Sequence, residues 1–160
     1  MAFYTVIAVG KIKESFYLEA CAEYLRRLGG FGGCNLIELP ECRLPERPSA
    51  AEIAAGLAKE AAAAEKKIPK GAYLIVCSPE GAQRSSEALA AELKTIKLRS
   101  HGGVCFLIGS SFGLDPALKK RADLLLSMSR MTFPHHLFRI MLLEQIYRAE
   151  NILSGTKYHK

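Results

Sequence analysis

Long apolar runs are missing from this 160-residue sequence, and with them any segment long enough for a membrane-spanning helix. Cysteine is limited to Cys21, Cys34, Cys42, Cys77 and Cys105, an odd number with no CxxC spacing. Neither a disulfide framework nor a zinc site is supported by that pattern, and no metal is expected. Cys77 and Cys105 lie in apolar runs and read as small buried hydrophobes, which fits a reducing, cytoplasmic compartment. The opening MAFYTVIAVGKIKESF has no basic leader before its apolar run and no A-x-A site, so it reads as a first strand rather than a signal peptide. There is no internal repeat, no low-complexity segment beyond an alanine run and no visible boundary, so 1–160 reads as a single domain. Lysine and arginine outnumber aspartate and glutamate, 22 against 16, for a net charge of +6. That excess favours an anionic partner without specifying one.

What is present is an alternation. Phe3 to Val9 is a strand candidate ended by Gly10, and Ser15 to Leu28 has the spacing of a helix, with Phe16, Ala20, Tyr24 and Leu28 on one face. Asn35 to Leu39 is a second short strand, and a loop with three prolines follows from Pro40 to Pro48. Ser49 and Glu52 have capping-box spacing and start an alanine-rich helix to about Lys67, with Ile53, Leu57 and Ala61 as its apolar face. Tyr73 to Cys77 is a third strand, ended by a Ser78-Pro79-Glu80-Gly81 turn, and Ser85 or Ser86 caps a helix to about Leu98. Val104 to Ile108 is a fourth strand, Asp115 and Pro116 open a short helix, Leu124 to Leu126 is a fifth strand, and Pro134 opens a last helix to about Leu153. Five strand–helix repeats argue for an α/β domain with a mostly parallel sheet flanked by helices. Burial on both faces accounts for the unbroken apolar strands Tyr73–Val76 and Val104–Ile108.

Ligands of open α/β sheets bind beyond the carboxyl ends of the strands. Three such ends stand out: 76–81, 108–113 and 127–134. Gly109 and Gly113 allow close backbone approach and positive φ. The segment is neither a Walker loop nor a GxGxxG turn, so the two common phosphate cradles are absent. Gly109-Ser110-Ser111-Phe112-Gly113 does match G-x-S-x-G with Ser111 at its centre. A hydrolase would then need Asp123 and one of His135, His136 or His159 as partners, in a chain shorter than that fold normally has.

The last third concentrates polar functional types. His135 and His136 follow Pro134 at a helix start, and Arg139 and Arg148 lie in a helix otherwise rich in Leu137, Ile140, Met141, Leu142, Leu143 and Ile146. Glu144 and Arg148 are spaced for an i,i+4 pair. So apolar a helix is buried or forms an interface, and a dimer contact is expected. The ending Ser154-Gly155-Thr156-Lys157-Tyr158-His159-Lys160 is either a frayed terminus or an RNA contact, with tyrosine to stack on bases and lysine for phosphates.

The stretch from Phe106 to Lys160, FLIGSSFGLDPALKKRADLLLSMSRMTFPHHLFRIMLLEQIYRAENILSGTKYHK, closely resembles the bacterial ribosomal large subunit methyltransferase H family. AVGKIK near the start, EYLRRL at Glu23 to Leu28 and SSE at Ser85 to Glu87 extend the resemblance over essentially the whole chain. The resemblance implies a SPOUT-class α/β fold with its C-terminal segment threaded into a trefoil knot, a homodimer, and S-adenosylmethionine as methyl donor. It also implies a substrate, N3 of a pseudouridine in 23S ribosomal RNA on the assembled ribosome. By the same resemblance the cofactor residues are Val76, Gly109, Met128, Ser129, Arg130, Met131, Thr132 and Phe133. The chain departs from the family at Ser110-Ser111-Phe112, where a small, glycine-containing variant is commoner, at a longer Ser78-Pro79-Glu80, and at His136 in place of a frequent glutamine.

Methyl transfer to a protonated ring imide needs a proton acceptor or a group that stabilises the anion, together with near-attack geometry. His159, His135 and Arg139 are the candidates near the target base, histidine as acceptor and arginine as partner of a developing enolate-like oxygen. Tyr158, Lys160 and Arg148 are the candidate RNA contacts. A non-catalytic RNA-binding or ribosome-associated factor is the main alternative.

Overall fold

The computed structural model describes residues 2–99 and 102–160. Its five strands are β1 (Tyr4–Val9), β2 (Cys34–Leu39), β3 (Tyr73–Gln83), β4 (Val104–Ile108) and β5 (Leu124–Ser127). They form one sheet in the order β2-β1-β4-β3-β5, and every pairing is parallel. The helices are α1 (Ser15–Leu28), α2 (Ala50–Glu65), α3 (Ser86–Arg99), α4 (Pro116–Arg121) and α5 (His135–Leu153), with a 3-10 turn at Gly29–Phe31.

Side chains alternate across the strands and divide the core in two. Tyr4, Val6, Ala8, Phe106 and Ile108 pack on one face with Leu89, Leu93, Leu142 and Ile146 from α3 and α5. Ile7, Leu74, Val76, Cys105 and Leu107 pack on the other with Ala64 of α2 and Leu118 of α4. Both faces are therefore covered, which is why β1 and β4 have no exposed residue.

The capping box at Ser49 and Glu52 is formed in both directions, with the Glu52 amide donating to Ser49 Oγ and the Ser49 amide to Glu52 Oε2. Ser85 caps α3 through the Ala88 amide, and Asp115 caps α4 through the Ala117 amide. Two details differ from the sequence reading. The buried stripe of α2 is Gly56, Glu60 and Ala64 rather than Ile53, Leu57 and Ala61, which are half-buried. On α1 the buried positions are Cys21 and Leu28, while Phe16 is 62% exposed.

The third strand does not stop at Cys77. Leu126 of β5 pairs first with Cys77 and again with Ala82, so residues 78–81 loop out and the strand resumes to Gln83. This excursion places Ser78, Pro79 and Glu80 beside the carboxyl ends of β4 and β5.

Two polar ties fix α5. Glu150 accepts from the Tyr4 hydroxyl of β1 and from Lys97 of α3. Arg139 donates to Glu38 of β2 and to the Gly10 carbonyl at 2.9 Å. The apolar circumference of α5 is covered within the chain: the helix packs against α1 and α3, and none of its residues is exposed. That is the buried alternative of the sequence reading, and the dimer contact stays an expectation. No helix among the described residues is long and apolar enough to cross a membrane.

Candidate functional site

A cavity of about 590 Å³ opens at the carboxyl ends of β3, β4 and β5, the place the parallel sheet predicts. Cys77 to Glu80, Ile108 to Ser111, Gly113, Leu114 and the stretch Ser127 to His135 without Arg130 supply most of its wall; Lys119, Leu126 and Phe138 complete it.

The turn after β4 is closed by two reciprocal backbone bonds, Ser110 N–H to Gly113 C=O at 3.1 Å and Gly113 N–H to Ser110 C=O at 2.9 Å. Gly113 has φ +92°, a conformation other residues rarely adopt. Gly109 is needed for a different reason: a Cβ there would lie 2.3 Å from the Gly113 oxygen and 2.7 Å from Leu114 Cγ. The side chain that glycine spares would thus collide with the turn itself, not only with a ligand. The loop after β5 is held by its own serines. Ser127 Oγ donates to the Ser129 carbonyl at 2.9 Å, and Ser129 Oγ accepts from the Met131 amide at 3.0 Å.

Six of the eight residues expected to hold the cofactor line this cavity: Gly109, Met128, Ser129, Met131, Thr132 and Phe133. Val76 does not. Its side chain is fully buried on the α2 and α4 face of β3, and the alternation of the strand leaves Cys77 and Ser78 at the wall instead. Arg130 is exposed outside the wall, between Ser129 and Met131. Burial holds the Cys77 thiol up at about 12, so it stays protonated at neutral pH.

His135 also lines the cavity. Burial, then the neighbouring His136, lowers its pKa below the usual histidine value, so the ring is neutral near pH 7 and able to accept a proton. Arg139 is placed otherwise than expected. It is fully buried outside the cavity, and its guanidinium is engaged by Glu38 and Gly10, with Nε left without a partner. It fixes the first turns of α5, and His135 with them.

His159, Tyr158 and Arg148 form a separate cluster. His159 Nε2 lies 2.7 Å from Glu87 of α3 and its Nδ1 3.3 Å from Arg148. Arg148 is held by Glu144 at 2.6 and 2.9 Å and lies over the Tyr158 ring. The Tyr158 hydroxyl donates to Glu144 at 3.1 Å, and burial with that bond pushes its pKa up to about 12. The ending is thus docked on α3 and α5 rather than frayed; Lys160 is exposed at its tip. A second cavity of about 440 Å³, lined by Glu144, Ser86 and Gln145, shares Met128 with the first and Glu144 with this cluster.

The G-x-S-x-G match does not build a hydrolase. Ser111 Oγ donates to Glu41 at 2.6 Å, and Asp123 accepts from the Leu74 amide at the opposite end of the sheet. Sequence reasoning missed Lys119, Glu41 and Glu60, all at or just behind the cavity. Lys119 and Glu80 pair across its rim; Glu80 belongs to the 76–81 strand end, whereas Lys119 comes from α4.

A parallel α/β domain with a cavity at three adjacent strand ends, walled by a tight glycine turn, has the architecture of a small-molecule-binding α/β protein. The chain matches the model described as "Predicted SPOUT methyltransferase" over residues 3–159. It is 45% identical over 156 residues to a protein of Bifidobacterium adolescentis named ribosomal RNA large subunit methyltransferase H, covering 98% of each chain. A protein of that name from Limosilactobacillus reuteri is 41% identical over 97% of this chain and 98% of its own. The chain therefore belongs to the ribosomal RNA large subunit methyltransferase H family of SPOUT methyltransferases. In fold it is similar to a probable methyltransferase from Bordetella pertussis Tohama I, with TM-score 0.58 at 13% identity over 92% of this chain and 94% of that one. A probable methylase family protein from Haemophilus influenzae Rd KW20 gives TM-score 0.57 at 11% identity, over 98% of this chain and 68% of that one.

Proposed function

We propose that the chain is a cytoplasmic, S-adenosylmethionine-dependent methyltransferase that modifies N3 of a pseudouridine in 23S ribosomal RNA on the assembled ribosome, acting as a knotted homodimer. The observation that carries the reading is the cavity: its volume suits a nucleoside-sized ligand, and it combines apolar walls from Ile108, Leu114, Leu126 and Phe138 with backbone and hydroxyl groups of two tight turns. Those features fit the methyl donor, which when bound supplies the electrophilic methyl carbon.

The chain's own residues supply the rest. The Gly109 turn and the Ser127–Pro134 loop hold the donor and exclude water from it. His135, neutral and at the cavity wall, is the candidate proton acceptor for a ring imide. Arg139 positions that histidine rather than touching the base. Tyr158, His159, Lys160 and Arg148 form a basic and aromatic patch for the RNA, and His159 is the second candidate for the proton.

Calorimetric titration of the purified protein with S-adenosylmethionine tests the cofactor assignment. Micromolar binding is expected. Absence of binding would favour a non-catalytic RNA-binding factor, which has no use for a methyl donor.

A further inference from the structure

Two carboxylates stand behind the cavity wall at the Gly109 turn. Glu60 of α2 is only 7% exposed. Its Oε1 accepts from the Cys42 amide at 2.8 Å and its Oε2 from the Ser110 hydroxyl at 2.9 Å. Glu41, in the loop after β2, accepts from the Ser111 hydroxyl at 2.6 Å and amide at 3.3 Å through one oxygen. Among the described residues neither carboxylate makes an ion pair with lysine or arginine.

A serine hydroxyl has a single proton to donate. Ser110 and Ser111 both line the cavity, and both have given that proton to a carboxylate behind them. With those protons engaged, the two hydroxyls have only lone pairs left to offer a ligand. The wall therefore accepts hydrogen bonds, cannot donate them through these hydroxyls, and carries negative charge at its back. Such a surface favours positive charge and hydrogen-bond donors in the cavity.

We propose that the Glu60–Ser110 and Glu41–Ser111 pairs make this cavity select the cationic sulfonium form of the methyl donor over the neutral thioether product. Glu60 acts as a positioning residue that fixes the direction of the Ser110 proton. The inference rests on the reading of the cavity as the S-adenosylmethionine site. In the transfer the carbon–sulfur bond breaks, the electron pair stays on sulfur, the methyl carbon bonds to the ring nitrogen, and the nitrogen's proton passes to the acceptor, His135 in the reading above. The ligand thus loses its positive charge at the moment of reaction, and the wall's attraction for it falls.

The test is the ratio of affinities for S-adenosylmethionine and S-adenosylhomocysteine, measured by calorimetry for the whole protein and for Glu60→Gln. Glutamine keeps the size and the oxygen that accepts from Cys42. Its NH2 group then donates to Ser110 Oγ and turns the serine proton into the cavity. A carboxylate about 6 Å from a cation, at an effective dielectric near 40 in a cavity open to water, changes cation affinity on the order of tenfold. The preference for the sulfonium is expected to fall about tenfold, with homocysteine-product affinity held within about threefold. Sinefungin, in which an amine replaces the methylsulfonium, should weaken together with the donor. Equal weakening of all three ligands would show that Glu60 only builds the turn, and an unchanged ratio would refute the charge argument. If Glu60→Gln does not fold, Glu41→Gln carries the same test: a severalfold fall in the ratio supports the proposal and an unchanged ratio overturns it. Failure of the unaltered protein to bind any of the three would instead remove the cofactor reading on which the inference stands.

Discussion

Gly109 and Gly113 sit at the two ends of one turn, yet substituting each should fail for a different reason. Gly109→Ala places a Cβ 2.3 Å from the Gly113 oxygen and 2.7 Å from both the Gly113 carbon and Leu114 Cγ. Those are backbone and packed neighbours that cannot swing aside, so the turn must open. The two Ser110–Gly113 bonds are lost, at about 1 kcal/mol each, and the overpacking adds about 1–3 kcal/mol. The sum, about 3–5 kcal/mol, lowers Tm by roughly 10 °C in a chain of this length. Gly113→Ala meets nothing within 4 Å and bears only the strain of φ +92°, about 1–2 kcal/mol. Thermal unfolding of both variants, followed by calorimetry with S-adenosylmethionine, separates the two. Gly109→Ala should lose both stability and cofactor affinity; Gly113→Ala should lose a few degrees and keep more of the affinity. A Gly109→Ala protein with unaltered Tm and unaltered affinity would refute the reasoning.

Arg139→Met should destabilise the fold by about 2–4 kcal/mol, because it removes the charged partner of Glu38 and the donor to the Gly10 carbonyl; Glu38 keeps the Ile12 amide and, 29% exposed at its side chain, recovers part of the loss from water. If denaturant unfolding were unchanged and only the methylation rate fell, Arg139 would belong at the target base after all. Deleting Tyr158 to Lys160 should strongly lower methylation of ribosomes while leaving cofactor affinity intact, since none of the three lines the main cavity; full activity in the truncated protein would make the tail a packed end and nothing more. Sedimentation at micromolar concentration should give twice the chain mass, and a clean monomer would remove the dimer from the account.

Local signals were enough for most of the fold. The caps at Ser49, Ser85 and Asp115, the Gly10 and glycine-rich breaks, and the unbroken apolar strands placed the elements within a few residues. What was hidden depended on distant partners. Ser78-Pro79-Glu80-Gly81 has turn chemistry, and nothing nearby shows that β3 resumes against β5 at Ala82. Glu60 carries no local signal, because its partners Cys42 and Ser110 are 18 and 50 positions away. Arg139 read as a functional arginine in an apolar helix for the same reason: Glu38 is 101 positions away. The three strand ends were legible as the site because topology dictates them. The side of β3 that faces the cavity was not, and Val76 gave way to Cys77 and Ser78.

The central claim is methylation of a single ribosomal nucleotide, and mass spectrometry of 23S ribosomal RNA from a strain lacking this protein tests it most directly. The account predicts a pseudouridine that lacks its N3 methyl group and is 14 Da lighter, about one methylene, with the methyl group restored by the unaltered gene but not by a Gly109→Ala copy. A fully methylated pseudouridine in the deletion strain would contradict it.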